Sequence, residues 1–148
     1  MKKKLIITFA ALVSLCASVN AQTSAVYAPD GIALKGYDAV AFFTLSKPVK
    51  GSVDYSYKWH NATWLFATKS GLDSFKGAPE KYAPQYGGYC AFGAAEGHKA
   101  PTQPETWTIV HNRLYFNYNE KVKESWMKNQ AVLIDSADRK WPEIKDKE

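Results

Sequence analysis

Residues 79–92 of the chain read PEKYAPQYGGYCAF, the most unusual stretch of the sequence. Two prolines bound a predicted turn, after which Gly87 and Gly88 allow the backbone to adopt positive φ or to approach another surface closely. This bend delivers Tyr89 and Cys90 into an aromatic segment. We predict that residues 87–92 form one wall of a pocket.

On either side of this stretch, the sequence predicts a β-hairpin followed by a helix. Alternating aromatic and β-branched residues indicate the strands, and apolar residues three or four apart indicate the helices. The predicted fold class is therefore α+β: a small single domain in which two hairpin-plus-helix units surround an aromatic core. The predicted elements are strands at residues 53–59 and 63–67, turning at His60-Asn61, with a helix at 70–76, then strands at 107–111 and 114–118, turning at Asn112-Arg113, with a helix at 120–129.

The two units can be superposed along the sequence. A single shift along the sequence aligns His60 with His111 and Phe75 with Trp126. Few identities are involved, however, and amphipathic periodicity alone produces hairpins followed by helices. The sequence therefore leaves two explanations open, an internal duplication and a shared periodicity.

The N-terminus has the three parts of an export signal. Three lysines at residues 2–4 precede an apolar run at residues 5–17, and a small-residue cleavage site, VNA, occupies residues 19–21. The apolar run is shorter than the roughly 20 residues that span a bilayer. We therefore expect residues 1–21 to be a signal peptide and residues 22–148 to form the domain. The mature protein is expected to be periplasmic or secreted, with no transmembrane segment.

The charge of the chain does not indicate a nucleic-acid partner. The formal net charge is +5, and loss of the three N-terminal lysines lowers it to about +2. The other lysines and the glutamates are interspersed and form no basic stripe, so the electrostatic footprint of a phosphate binder is missing. The expected partner is instead a metal ion or a small ligand.

The cysteine count directs attention to a single thiol. The chain has two cysteines, and Cys16 lies within the predicted signal peptide, which leaves Cys90 in the mature protein. Cys90 then has no partner for an internal disulfide, although an exported compartment favours disulfides. Such a thiol is a buried packing residue, a metal or cofactor ligand, a reactive nucleophile or an intermolecular bridge. The count alone leaves all four roles open.

Standard catalytic motifs are missing from the sequence. It contains no Walker loop, dinucleotide fingerprint, HExxH motif, CxxC pair or nucleophile elbow, so the corresponding enzyme classes are not indicated. One catalytic arrangement is chemically conceivable, in which a Cys90 nucleophile is activated by His98 and oriented by Asp38. A thiol enzyme or redox sensor is therefore one alternative to a binding module.

Several sequence blocks occur in an order that is typical of one family. They are GYDAVAFF at residues 36–43, WLF at 64–66, PEKYAPQYGGYCA at 79–91, LYFNYN at 114–119 and WPE at 141–143. With these blocks in register over most of the predicted mature chain, the sequence resembles the exported bacterial YHS domain-containing proteins. The resemblance implies a YHS-like fold.

The resemblance also bears on metal binding. Short YHS domains, including those attached to heavy-metal pumps, resemble metal modules with one cysteine after the aromatic strand and another four residues later. Ala67 and Gly71 occupy those positions here, and neither side chain ligates a metal. The predicted metal ligands are instead Cys90 and His98, and the candidate cofactors are copper, zinc and haem.

A second group of candidates surrounds an acidic residue. Asp38 lies in an aromatic segment, where a buried carboxylate must be paired, cap a helix or meet a ligand. It also precedes an apolar run, which makes it a candidate N-cap for a short helix that begins at Ala39. The predicted cofactor-binding residues are Tyr37, Asp38, Tyr86, Tyr89 and Cys90.

Three functional hypotheses follow from the sequence. The leading one is a periplasmic or secreted YHS-like module that binds a metal ion or a metal-containing cofactor, with Cys90 as the central ligand. The second is the single-cysteine enzyme or redox sensor, which requires an exposed thiol. The third is a protein-interaction domain in which Cys90 has only a structural role.

Overall fold

Short helices alternate with two hairpins along residues 24–147, the part of the chain that the computed structural model describes. The predicted signal peptide and the first residues of the predicted mature chain lie outside this part. Within it, no helix is long and apolar enough to cross a membrane. The elements in chain order are α1 (Ala39–Thr44), β1 (Ser52–Trp59), β2 (Ala62–Phe66), α2 (Lys69–Gly77), α3 (Pro79–Tyr82), α4 (Ala91–Glu96), β3 (Thr108–Val110), β4 (Arg113–Tyr115), α5 (Glu120–Lys128) and α6 (Gln130–Ile144).

Both hairpins turn at a His-Asn pair in the left-handed conformation. In the first hairpin φ is 50° at His60 and 59° at Asn61, and in the second it is 47° at His111 and 60° at Asn112. Two positive φ values in a two-residue loop define a type I′ turn, whose twist matches that of the antiparallel strands. The turn predicted at Asn112-Arg113 is therefore wrong by one residue, because Arg113 is the first residue of β4.

Each hairpin is followed by a helix of the same construction. Thr68 caps α2 by accepting the backbone N–H of Gly71 at 3.0 Å. Asn119 caps α5 by accepting the backbone N–H of Val122 at 2.9 Å. Such caps satisfy N–H groups that have no partner within the helix. The two caps have the same offset along the chain as the two His-Asn turns, so the hairpin-plus-helix unit occurs twice.

The equivalence extends to the segment before each hairpin. Residues 36–39 read GYDA and residues 88–91 read GYCA, and each segment leads into a six-residue helix, α1 or α4. The backbone N–H groups of Asp38 and Cys90 each bond to a carbonyl in the loop before the next hairpin, at 2.8 and 3.0 Å. Equivalent caps, turns and loop bonds favour a duplication, because periodicity alone does not require them. Cys90 is the structural counterpart of Asp38.

Aromatic side chains form the interior as two clusters. In the first, the ring centroid of Phe75 lies 4.9 Å from that of Trp64 and 5.0 Å from that of Phe66, and all three residues are buried. In the second, the rings of Tyr115 and Trp126 lie 5.5 Å apart, beside the packed pair α4 and α6. The structure thus confirms a small α+β domain with two hairpins, helices and aromatic clusters.

The C-terminal segment forms a long helix that the sequence did not indicate. α6 contains Pro142 near its C-terminal end, where the proline has no N–H to bond to the carbonyl four residues earlier. The ring of Trp141 packs against those of Tyr86 and Tyr89, with centroids 5.9 and 6.1 Å away. This helix brings its side chains against the turn at residues 85–88.

We expect Gly51→Ala to lower the free energy of unfolding by about 1–3 kcal/mol, because residue 51 packs tightly on β2. A Cβ atom at Gly51 would lie 2.6 Å from the carbonyl oxygen of Leu65, closer than real contacts allow. Gly77→Ala is the matched control, since an added Cβ at the end of α2 meets nothing within 4 Å. Urea unfolding measures both variants. Equal midpoints would contradict the close packing at residue 51.

Candidate functional site

One cavity contains both residues that the sequence proposed as metal ligands. Cys90 and His98 line a cavity of about 350 Å³ between α4 and α5. Its walls are largely apolar and include Phe92, Ala100 and Val122. Exposed charged residues, Glu96 and Lys121, also line it. The fold therefore brings a thiol and an imidazole to a common, mostly apolar space.

Cys90 is held at the start of α4 by two hydrogen bonds. Its Sγ accepts the backbone N–H of Gly93 at 3.5 Å, which makes Cys90 the N-cap of the helix. Its thiol donates to Oδ1 of Asn117 at 3.6 Å. The residue is only 2% exposed. The sulfur is thus fixed in position and reachable from the cavity rather than from the open surface.

Asn117 supports the thiol and was missed by sequence reasoning. Its Oδ1 also accepts the backbone N–H of Phe92 at 3.3 Å, which fixes the orientation of the amide. Asn117 is completely buried, and its Nδ2 has no hydrogen-bond partner within residues 24–147. A buried donor without a partner costs about 1–3 kcal/mol. The sequence feature that could have identified Asn117 is its place inside the aromatic run LYFNYN, where an apolar residue would otherwise pack.

His98 reaches the cavity because α4 ends sharply. Gly97 adopts a left-handed conformation with φ 95°, which reverses the chain after the helix. The backbone N–H of His98 then bonds to the carbonyl of Gly93 at 3.0 Å. A Cβ atom at Gly93 would lie 3.2 Å from Nε2 of His98, so glycine at this position leaves space for the imidazole. The side chain remains exposed, and its ring is available to a ligand.

The structure places Asp38 away from the cavity, in the capping role. Its Oδ1 accepts the backbone N–H groups of Val40 and Ala41, at 2.8 and 3.2 Å. Its Oδ2 accepts the N–H of Ala67 at 2.9 Å. Three backbone donors therefore engage the carboxylate, and the conceivable triad with Cys90 and His98 is not assembled. Neighbouring Tyr37 also lies outside the cavity, with the ammonium of Lys50 at 4.2 Å from its ring centroid.

Tyr86 and Tyr89 are likewise outside the cavity. The Tyr89 hydroxyl donates to the carbonyl of Ser24 at 3.0 Å, and burial raises the pKa of this phenol. The Tyr86 hydroxyl donates to Oδ1 of Asp138 at 2.8 Å. Burial and then this hydrogen bond raise the pKa of Tyr86 well above its usual range, so the phenol stays protonated and donates. Of the five predicted cofactor-binding residues, Cys90 alone lines the cavity.

The repeated unit explains where the cavity comes from. In the first unit, a Cβ atom at Gly71 would lie 3.1 Å from Oδ2 of Asp38, so α2 approaches the cap closely. The counterpart of Gly71 in the second unit is Val122, which lines the cavity near Cys90. In the first unit, the carboxylate of Asp38 and the backbone groups bonded to it fill the space beside Gly71. In the second unit, the corresponding space beside Val122 is part of the open cavity.

The remaining polar residues do not complete a closed metal site. Within residues 24–147, no group of three or more histidine, cysteine, aspartate or glutamate side chains is arranged to hold a metal ion. His60 and His111 occupy the exposed hairpin turns and do not line the cavity. A metal in the cavity would therefore have at most two donors from histidine, cysteine, aspartate and glutamate side chains, and open coordination positions.

Comparison of the chain with family models, curated proteins and solved structures gave no match. Function is therefore inferred from the cavity and its residues.

Proposed function

We propose that the chain is an exported YHS-type binding module that holds copper(I), or a small copper-containing ligand, between Cys90 and His98. The observation that supports this proposal is that the thiol and the imidazole line one cavity of about 350 Å³. Phe92, Ala100 and Val122 form an apolar wall, which limits the access of water on that side of the metal.

The donor set favours copper over the other candidate metals. Thiolate is a soft ligand that selects copper(I), and imidazole also suits copper. A structural zinc site almost always has four protein ligands, and Cys90 and His98 supply two. The cavity volume lies near the lower end of the roughly 300–1,000 Å³ typical of small-molecule sites, which favours an ion with a small co-ligand over haem.

The internal repeat, taken together with the resemblance to YHS domains, gives further support. The two positions where short YHS domains have cysteine, Ala67 and Gly71, lie beside Asp38 in the first unit. Their counterparts in the second unit, Tyr118 and Val122, line the cavity with Cys90. The proposed site is therefore the second unit's version of the position at which short YHS domains bind metal.

A structural role for Cys90 is the competing proposal that has a specific observation behind it. The sulfur caps α4 by accepting the N–H of Gly93, and the residue is 2% exposed. A thiol enzyme or redox sensor would require its substrate or oxidant to reach this thiol through the cavity, since the residue has little contact with the open surface. Copper binding and helix capping are separable by mutation.

We expect the purified protein to bind one copper(I) ion, measured under reducing, anaerobic conditions in competition with a chromogenic copper(I) chelator. Cys90→Ala should weaken binding by about 100-fold or more, because it removes the soft donor. His98→Ala should weaken it by about tenfold. His111→Ala is the matched control, since this exposed turn histidine lies outside the cavity.

Folding effects are separated by Cys90→Ser, whose hydroxyl retains an acceptor for the Gly93 N–H. This variant should unfold at nearly the same urea concentration as the parent and still bind copper(I) poorly. If Cys90→Ala is less stable yet takes up the same copper with the same affinity, the structural proposal is correct and the copper proposal is wrong.

A further inference from the structure

A second cleft lies between the two aromatic clusters, on residues that the proposed copper site does not use. Its volume is about 450 Å³. Trp59 comes from the end of β1 in the first unit, Arg113 from the start of β4 in the second, and Trp141 from α6. The cleft is therefore built by all three parts of the fold.

A rigid polar network lines the cleft beside the tryptophans. The Arg113 guanidinium donates from Nη1 and Nη2 to the two carboxylate oxygens of Asp138, both at 3.2 Å. It also donates from Nε and Nη2 to Oε1 of Gln85, at 3.0 and 2.8 Å. Tyr86 donates its hydroxyl to Asp138. These bonds orient the side chains of Gln85, Arg113 and Asp138 before any ligand arrives, which lowers the entropy cost of binding.

The network leaves both donors and acceptors available. Arginine has five N–H donors, and four of those on Arg113 have partners, so one has none within residues 24–147. Because Oε1 of Gln85 accepts two of these bonds, its amide Nε2 is left with its two donors. The carboxylate of Asp138 accepts two bonds at Oδ1 and one at Oδ2, so one acceptor lone pair remains on Oδ2. A ligand in the cleft would meet donors and acceptors next to one another.

The charges of the lining disfavour an anionic ligand. Arg113 is neutralised by Asp138, and Glu80 adds a further carboxylate to the lining, so an anion gains no net attraction. With Arg113 paired to Asp138, Glu80 makes the lining net negative, so the charges do not repel a cation. The hydrogen-bonding groups and the two tryptophans fit a ligand that is not an anion, carries adjacent groups that both donate and accept hydrogen bonds, and has an apolar face.

We propose that this cleft binds a neutral saccharide. Vicinal sugar hydroxyls both donate and accept hydrogen bonds. They therefore match the free donors of Gln85 and Arg113 and the free acceptor of Asp138. The C–H face of a sugar ring is apolar and packs on indole, and both Trp59 and Trp141 line the cleft while only partly buried. The volume falls within the range of small-molecule sites.

The proposal is tested by titrating the purified protein with maltose, cellobiose and N,N′-diacetylchitobiose, followed by tryptophan fluorescence and saturation-transfer NMR. At least one disaccharide should bind with a Kd on the order of 1 mM or tighter. Trp141→Ala and Trp59→Ala should each weaken that binding by about tenfold or more. Arg113→Ala should do the same, whereas Arg139→Ala should not, because Arg139 pairs with Asp135 on the exposed side of α6.

Two results would overturn the saccharide site. One is no saturation transfer to any of the three disaccharides. The other is binding that survives both tryptophan substitutions, which would place the sugar elsewhere. Unfolding midpoints of each variant show that the protein remains folded. Cys90→Ala should leave disaccharide binding unchanged, so the outcome is independent of the proposed copper site.

Discussion

Replacing Asp38 by alanine is expected to lower the free energy of unfolding by about 3–4 kcal/mol. The carboxylate satisfies three backbone N–H groups, those of Val40, Ala41 and Ala67, and it is only 3% exposed. Alanine offers no acceptor and leaves these donors without partners in the interior. Urea unfolding followed by circular dichroism measures the loss.

Asp38→Asn is the matched control, because it retains one side-chain oxygen for the α1 cap but places an NH₂ group towards the remaining donor. It should lose less stability than the alanine variant. Copper(I) affinity per folded molecule should be unchanged in both variants, since Asp38 does not line the Cys90 cavity. If either variant lost copper binding while it remained folded, Asp38 would belong to the binding site and not only to the cap.

Phe75→Ala is expected to lower the free energy of unfolding by about 4 kcal/mol, through lost burial and the cavity that remains. The Phe75 ring is completely buried, and its centroid lies within 5.0 Å of those of Trp64 and Phe66 and 5.6 Å from that of Trp59. Its removal therefore loosens the contact between α2 and the first hairpin.

The control for this substitution is Val53→Ala, on the same unit but 75% exposed, which should change stability by less than about 0.5 kcal/mol. Thermal and urea unfolding of both variants provide the comparison. A loss below about 1 kcal/mol for Phe75→Ala would mean that the surrounding rings collapse into the space, and that the first cluster is less rigid than its packing indicates.

Sequence patterns predicted the hairpins and the helices that follow them because the signals are local. The alternation of aromatic and polar residues before His60 and the spacing of Leu72 and Phe75 are set by side-chain periodicity within one element. The second turn was displaced by one residue because Asn112-Arg113 and His111-Asn112 are both plausible turn pairs. Positive φ at His111 and Asn112 decides between them.

Two helices that build the sites were not predicted. α4 contains glycine and alanine and has only six residues, too few for a periodic pattern. α6 contains a Trp-Pro pair that is typical of a helix end. Without α6, nothing in the sequence associates Trp141 and Asp138 with Arg113, and the cleft is not foreseeable.

The sequence by itself determined the α+β pattern and the two hairpin-plus-helix units, and it selected Cys90 and His98 as candidate ligands. It could do so because periodicity, turn chemistry and residue type are properties of single residues and their neighbours in the chain. Tertiary structure alone decided which candidates meet. It placed Cys90 and His98 on one cavity, Asp38 in a helix cap, and Asn117 behind the thiol. The reason is physical: burial and hydrogen bonding between residues distant in the chain depend on how the two units and α6 pack, and no local pattern records that packing.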